Sequence, residues 1–128
     1  SLQNTIHFIH LKSQKEVYER MRNSDCLLLP SVEEGIANVV LEAMVIGLPV
    51  ISSNCGGMEE VIKDGFNGFI FQSRNVEHLY FKIKKLIDLS EVDKNKITKN
   101  ALKFIEDNNS MAIVGNKMYR LYKSIVNK

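Results

Sequence analysis

Two short runs constrain this chain most: CLLLP at 26–30 and PVISS at 49–53, with a helix-patterned stretch, 37–45, between them. CLLLP is apolar throughout, as a strand covered on both faces is, rather than alternating as a half-exposed strand does. The intervening stretch is closed by Gly47 and Pro49, the pair that ends a helix and prevents its continuation. A strand, a helix and a second strand in that order imply parallel pairing, because an antiparallel pair needs no such crossover. The predicted fold class is therefore α/β, a doubly wound parallel sheet with helices on both faces.

The same order extends to both sides. Residues 5–10 alternate weakly and read as a first strand, after which Ser13, with Glu16 three residues on, predicts a capping box for a helix through 22. Past the second run, Gly56-Gly57 turns the chain into a short helix at 58–63. The cluster Asp64-Gly65-Phe66-Asn67-Gly68 then leads into an apolar segment, 69–71, predicted to be an edge strand. Helices follow. Ser73 or Asn75 caps one at 76–89 with the apolar stripe Val76, Leu79, Tyr80, Ile83, Leu86 and Ile87, and Ser90 opens another to about residue 106. Ser110 begins the last, with Met111, Val114, Met118, Leu121, Tyr122 and Ile125 on one face. No repeat or linker divides the 128 residues, which read as a single domain.

Charge is uneven. Residues 1–71 hold 5 Lys/Arg against 9 Asp/Glu, and 72–128 hold 12 against 6. The basic half is lysine scattered through helical patterns, which suits a solvated face better than a nucleic-acid surface. The last helix carries Lys117, Arg120, Lys123 and Lys128. Packing against the rest of a longer protein is the favoured reading there, and peripheral contact with an anionic membrane the alternative. Cys26 and Cys55 are too few for a disulfide framework or a zinc site and read as free thiols in a cytoplasmic protein. His7 and His10, three apart on an expected strand, face opposite sides, and His78 has no partner at metal spacing, so no metal site is predicted. Met44 and Met58 read as core, and Glu33, Glu59 and Glu60 as solvated.

The chemistry is concentrated in Glu34-Gly35-Ile36-Ala37-Asn38-Val39-Val40-Leu41-Glu42. On a helix, the eight steps between the two glutamates advance ~12 Å and return close to the same azimuth. That span suits a hexose at one end and a ribose at the other. Between them the helix start offers free N–H groups and a positive dipole end, which favours a diphosphate. In a parallel sheet, ligands sit at the carboxyl ends of the strands, where the loops Pro30–Gly35 and Asn54–Gly57 both fall. Neither GxGxxG nor a Walker A sequence occurs, so dinucleotide binding and P-loop hydrolysis are poorly supported.

With EAM at 42–44, GLPV at 47–50, the Gly-Gly pair and the G-x-N-G-F turn at 65–69 in the same order, residues 26–71 resemble the donor-binding half of retaining glycosyltransferases of family four, or group 1. The resemblance is fair from 5 to 89. It implies one Rossmann-like half of a GT-B fold, and a reaction in which a glycosyl group passes from a UDP-, GDP- or ADP-sugar to a hydroxyl with retention. Glu34 then contacts the transferred sugar, and Gly35, Ile36, Ala37 and Asn38 serve sugar and phosphate. Glu42 takes the two ribose hydroxyls and Leu11 lies at the base, although Ile9 stands where the family often has Gly. No cofactor or metal is implied. The family's diphosphate-binding Arg and Lys and its acceptor domain have no counterpart here, which implies the C-terminal part of the donor domain of a longer enzyme. A non-catalytic nucleotide-sugar or protein-binding module of the same fold is the alternative.

Overall fold

A computed structural model describes residues 4–32, 38–108, 120, 123 and 124. Among them three strands form one parallel sheet in the order β1 (Leu27–Leu29), β2 (Val50–Ser53), β3 (Phe69–Phe71). Leu27 pairs with Val50 and Leu29 with Ser52, and Ile51 pairs with Phe69 and Ser53 with Phe71. Among the described residues up to 108, five helices accompany them: α1 (Gln14–Arg22), α2 (Asn38–Ile46), α3 (Met58–Val61), α4 (Val76–Asp88) and α5 (Glu91–Asp107). The predicted capping box closes the start of α1. The Ser13 hydroxyl accepts from the Glu16 amide, and the Glu16 carboxylate accepts from the Ser13 and Lys12 amides. Asn75 rather than Ser73 caps α4, and Ser90 caps α5.

Helices pack against both faces of the sheet. On one side Val50 and Ile70 pack with Tyr18, Met21, α2, Met58 and the second half of α5; on the other Ile51, Phe69 and Phe71 pack with Leu86 and Ile97. Successive strand residues therefore feed opposite cores, the period-2 consequence of a pleated backbone. Met44 and Met58 are fully buried, as expected. Helix α2 is the centre of the larger core, with Val40 through Val45 all buried, and its end is made by Gly47. That residue has φ +90° and an amide that donates to the Ala43 carbonyl at 3.0 Å. Only glycine takes that conformation without strain. Gly68 serves a different need, since a Cβ there would stand 3.1 Å from Ile62 and 3.2 Å from the Val50 carbonyl, and its absence lets β3 approach β2.

Three expectations are corrected. Residues 5–10 form no strand: Ile6, Phe8 and Ile9 are exposed and their backbone has no neighbouring strand among the described residues, so weak alternation had nothing to pair with. β1 is not covered on both faces. Leu28 is 39% exposed, because α4 packs over β3 and, among the described residues, no helix covers β1, at the opposite edge, on that side. On α4 the expected stripe is half wrong: Val76, Tyr80 and Ile87 face solvent, while Lys82 is buried beside Leu86. Lys82 turns inward because Asp64, in the turn before β3, receives its ammonium at 2.6 Å. The helix expected at 111–126 lies outside the described residues, apart from Arg120, Lys123 and Ser124.

Candidate functional site

The carboxyl ends of the strands are tied together by side chains that the sequence alone did not single out. The Ser53 hydroxyl donates to the Ser31 carbonyl, joining the end of β2 to the loop after β1. Asn54 does the same for the next pair, its amide donating to the Phe71 carbonyl and its side-chain carbonyl accepting from the Ser73 amide. A rim is thereby fixed from which α2 departs. Glu33, Glu34, Gly35, Ile36 and Ala37, on the same connection, lie outside the described residues, so the described part of the expected site consists of Asn38, Glu42 and Leu11.

Asn38 is exposed as the first residue of α2, and Glu42 stands one turn further on. Glu42 is 7% exposed amid an otherwise apolar run of buried residues. Burial raises its carboxyl above the ordinary range, and a hydrogen bond from Gln14 only partly offsets this. The Gln14 side-chain amide donates to Glu42 Oε1 at 3.0 Å and to the Tyr18 hydroxyl at 3.0 Å. Tyr18 is itself 2% exposed, and burial, with a contribution from the Glu42 charge, raises its phenol pKa. A nearly buried carboxylate with a neutral donor and, among the described residues, no cation paired with it keeps its accepting strength for a ligand.

Leu11 is half-buried and lines a hollow of about 430 Å³ with Glu16, Glu19, Arg20 and Asn23. Neither Asn38 nor Glu42 is among its described lining residues, so the hollow does not join Leu11 to them. What links that part of the chain to α2 is Gln14, three residues on. No signal in the sequence named Gln14: its i, i+4 relation to Tyr18 is visible on a helix, but the contact across 28 residues to Glu42 needs the fold. Among the described residues no three of His, Cys, Asp or Glu gather as a metal site would require, and no helix is long and apolar enough to cross a membrane. His78 has a local task, its Nδ1 accepting from the Gln72 amide at the start of the turn into α4.

A three-stranded parallel sheet with helices packed on both faces is a Rossmann-like arrangement. Residues 1–104 match the family of glycosyl transferases, group 1, and the chain belongs to that family. It is 37% identical over 89 residues, 70% of its length and 25% of the relative's, to an uncharacterized glycosyltransferase of Methanocaldococcus jannaschii. In fold it is similar to Anabaena HepE in complex with UDP-glucose, with a TM-score of 0.78 at 22% identity over 96% of this chain and 33% of that one. It is also similar to the C-terminal domain of a group 1 family protein of Francisella tularensis, with a TM-score of 0.70 at 24% identity over 80% of this chain and 52% of that one. The chain thus spans a quarter of the length of that curated relative and a third of the HepE chain.

Proposed function

We propose that this chain is the donor-binding part of a glycosyltransferase that takes a nucleoside diphosphate sugar and passes its glycosyl group, a hexosyl unit, to a hydroxyl acceptor with retention. The observation that carries the reading is Glu42, a nearly buried carboxylate held by a neutral amide on the helix leaving the sheet's carboxyl end. In this reading Glu42 accepts from both ribose hydroxyls. Asn38, the first residue of α2, with Gly35, Ile36 and Ala37, offers backbone amides to phosphate and sugar. Glu34, eight residues before Glu42 in the sequence, contacts the transferred sugar and stabilises positive charge as the anomeric centre becomes oxocarbenium-like. UDP-, GDP- and ADP-sugars are the candidate donors, and the HepE complex with UDP-glucose gives the UDP form support. The acceptor site, and the cations that meet the leaving diphosphate, belong to the remainder of a longer protein.

The two glutamates serve different parts of one ligand, which separates their mutants. Glu42→Ala is expected to weaken free nucleoside diphosphate and intact donor alike, by about 1.5–3 kcal/mol. Glu34→Gln is expected to spare the free nucleotide and to depress turnover of the intact enzyme more than donor binding. Calorimetry with both ligands, beside steady-state rates, measures this. Equal losses of nucleotide affinity in the two variants, or none in either, would sink the division of roles.

A further inference from the structure

We infer that Gln14 is a positioning residue for the donor site, holding the Glu42 carboxylate in the orientation that receives a vicinal diol; the inference rests on the proposed contact between Glu42 and ribose. Both N–H bonds of one amide are committed, one to Glu42 Oε1 and one to the Tyr18 hydroxyl, each at 3.0 Å. An amide held at two points cannot rotate freely, and the second point is a buried ring on the same helix, one turn on. Gln14 therefore acts as a fixed arm reaching from α1 to α2.

Its chemistry suits the task. A carboxylate that is to accept two neighbouring hydroxyls must present its plane at one angle and keep its charge. A lysine or arginine in place of Gln14 would orient the group but neutralise part of that charge; a neutral amide orients it and leaves the acceptor strength in place. Among the described residues Gln14 is the hydrogen-bond donor to this carboxylate, and it occupies Oε1, so Oε2 keeps both of its acceptor positions. The bond also favours the ionised form, in which both oxygens can accept. A purely structural role, tying α1 to α2, would leave ligand discrimination untouched.

The test uses the intact protein and calorimetry with UDP, GDP and ADP, followed by the 2′,3′-dideoxy form of whichever binds most tightly. Wild type is expected to prefer the diol form by about tenfold or more. Gln14→Met keeps length and volume but removes both donors. It is expected to narrow that preference at least about threefold, with affinity for the dideoxy nucleotide unchanged within about twofold. Gln14→Asn, which keeps an amide but not its reach, is expected to behave in the same way and covers the case in which Gln14→Met does not fold. Equal weakening of both ligands, or an unchanged preference, overturns the positioning role while leaving the ribose contact standing. A wild type that binds none of the three nucleotides, or that shows no preference for the diol, overturns the ribose contact itself.

Discussion

Glu42, the proposed ribose contact, burdens the fold that carries it. Burial raises its carboxyl pKa, so the folded state holds this proton more tightly than the unfolded chain does. The sign follows: below the ordinary glutamate range the group is protonated in both states and imposes no penalty. As pH rises through the raised folded value, the carboxylate must ionise inside the core and stability is lost. Glu42→Gln keeps the shape and an acceptor for Gln14 without the charge. It is expected to raise the melting temperature at pH 7.5, to leave it nearly unchanged at pH 4, and to weaken nucleotide binding. Thermal denaturation at the two pH values checks this, and no gain at pH 7.5, or the same gain at both, would contradict it. Glu42 is legible as a candidate because it lies eight residues from Glu34 within a run of motifs that resembles a known family, all of it local in the sequence. Gln14 was invisible by the same logic, since its partner lies 28 residues away.

Among the elements, the turn between α3 and β3 shows why the helical stripe was misread. Periodicity counts apolar side chains and gives a lysine no place in a core, whereas Lys82 is buried because Asp64 meets it. Burial pushes the Asp64 carboxyl up, but the hydrogen bonds from Lys82 and the Ile70 amide and the charges of Lys82 and Lys85 outweigh it, and the group ends below its ordinary range. Its stabilising contribution is present above the unfolded-state value near pH 4 and is lost as pH falls through the lower folded value. Lys82→Met is expected to cost about 1 kcal/mol, a surface-like figure because the Asp64 side chain is 44% exposed. It is also expected to flatten the acid dependence below about pH 4. Urea denaturation between pH 2.5 and 7 measures both, and an unchanged acid limb would show that the pair does not set it. Strands and caps were more legible: CLLLP, PVISS and the segment at 69–71 all form strands, and Ser13 and Ser90 cap as their local patterns predict. Residues 5–10 failed because a strand is defined by its neighbour, which no local pattern reports.

For the molecule as a whole, alternation of apolar runs and helices was enough to predict a parallel sheet covered on both faces, and the order of motifs was enough to point to the family. The two unequal cores, and the bare face of β1 opposite the side that α4 covers, depend on which helix lies over which strand and were not legible. In the proposed reading binding and transfer are separable: this chain would carry the nucleotide and sugar contacts, and the acceptor and the cations for the leaving group would come from elsewhere in a longer protein. By itself the chain is therefore expected to bind donor weakly and to show no acceptor-dependent turnover. The decisive measurement for the proposed donor-binding role of this chain is ligand-detected NMR with UDP-, GDP- and ADP-sugars. At least one of them is expected to bind, with strong saturation transfer at its ribose protons, and Glu42→Ala is expected to abolish the signal in a protein that remains folded. Absence of binding by all three, or a signal unchanged in Glu42→Ala, would contradict that role.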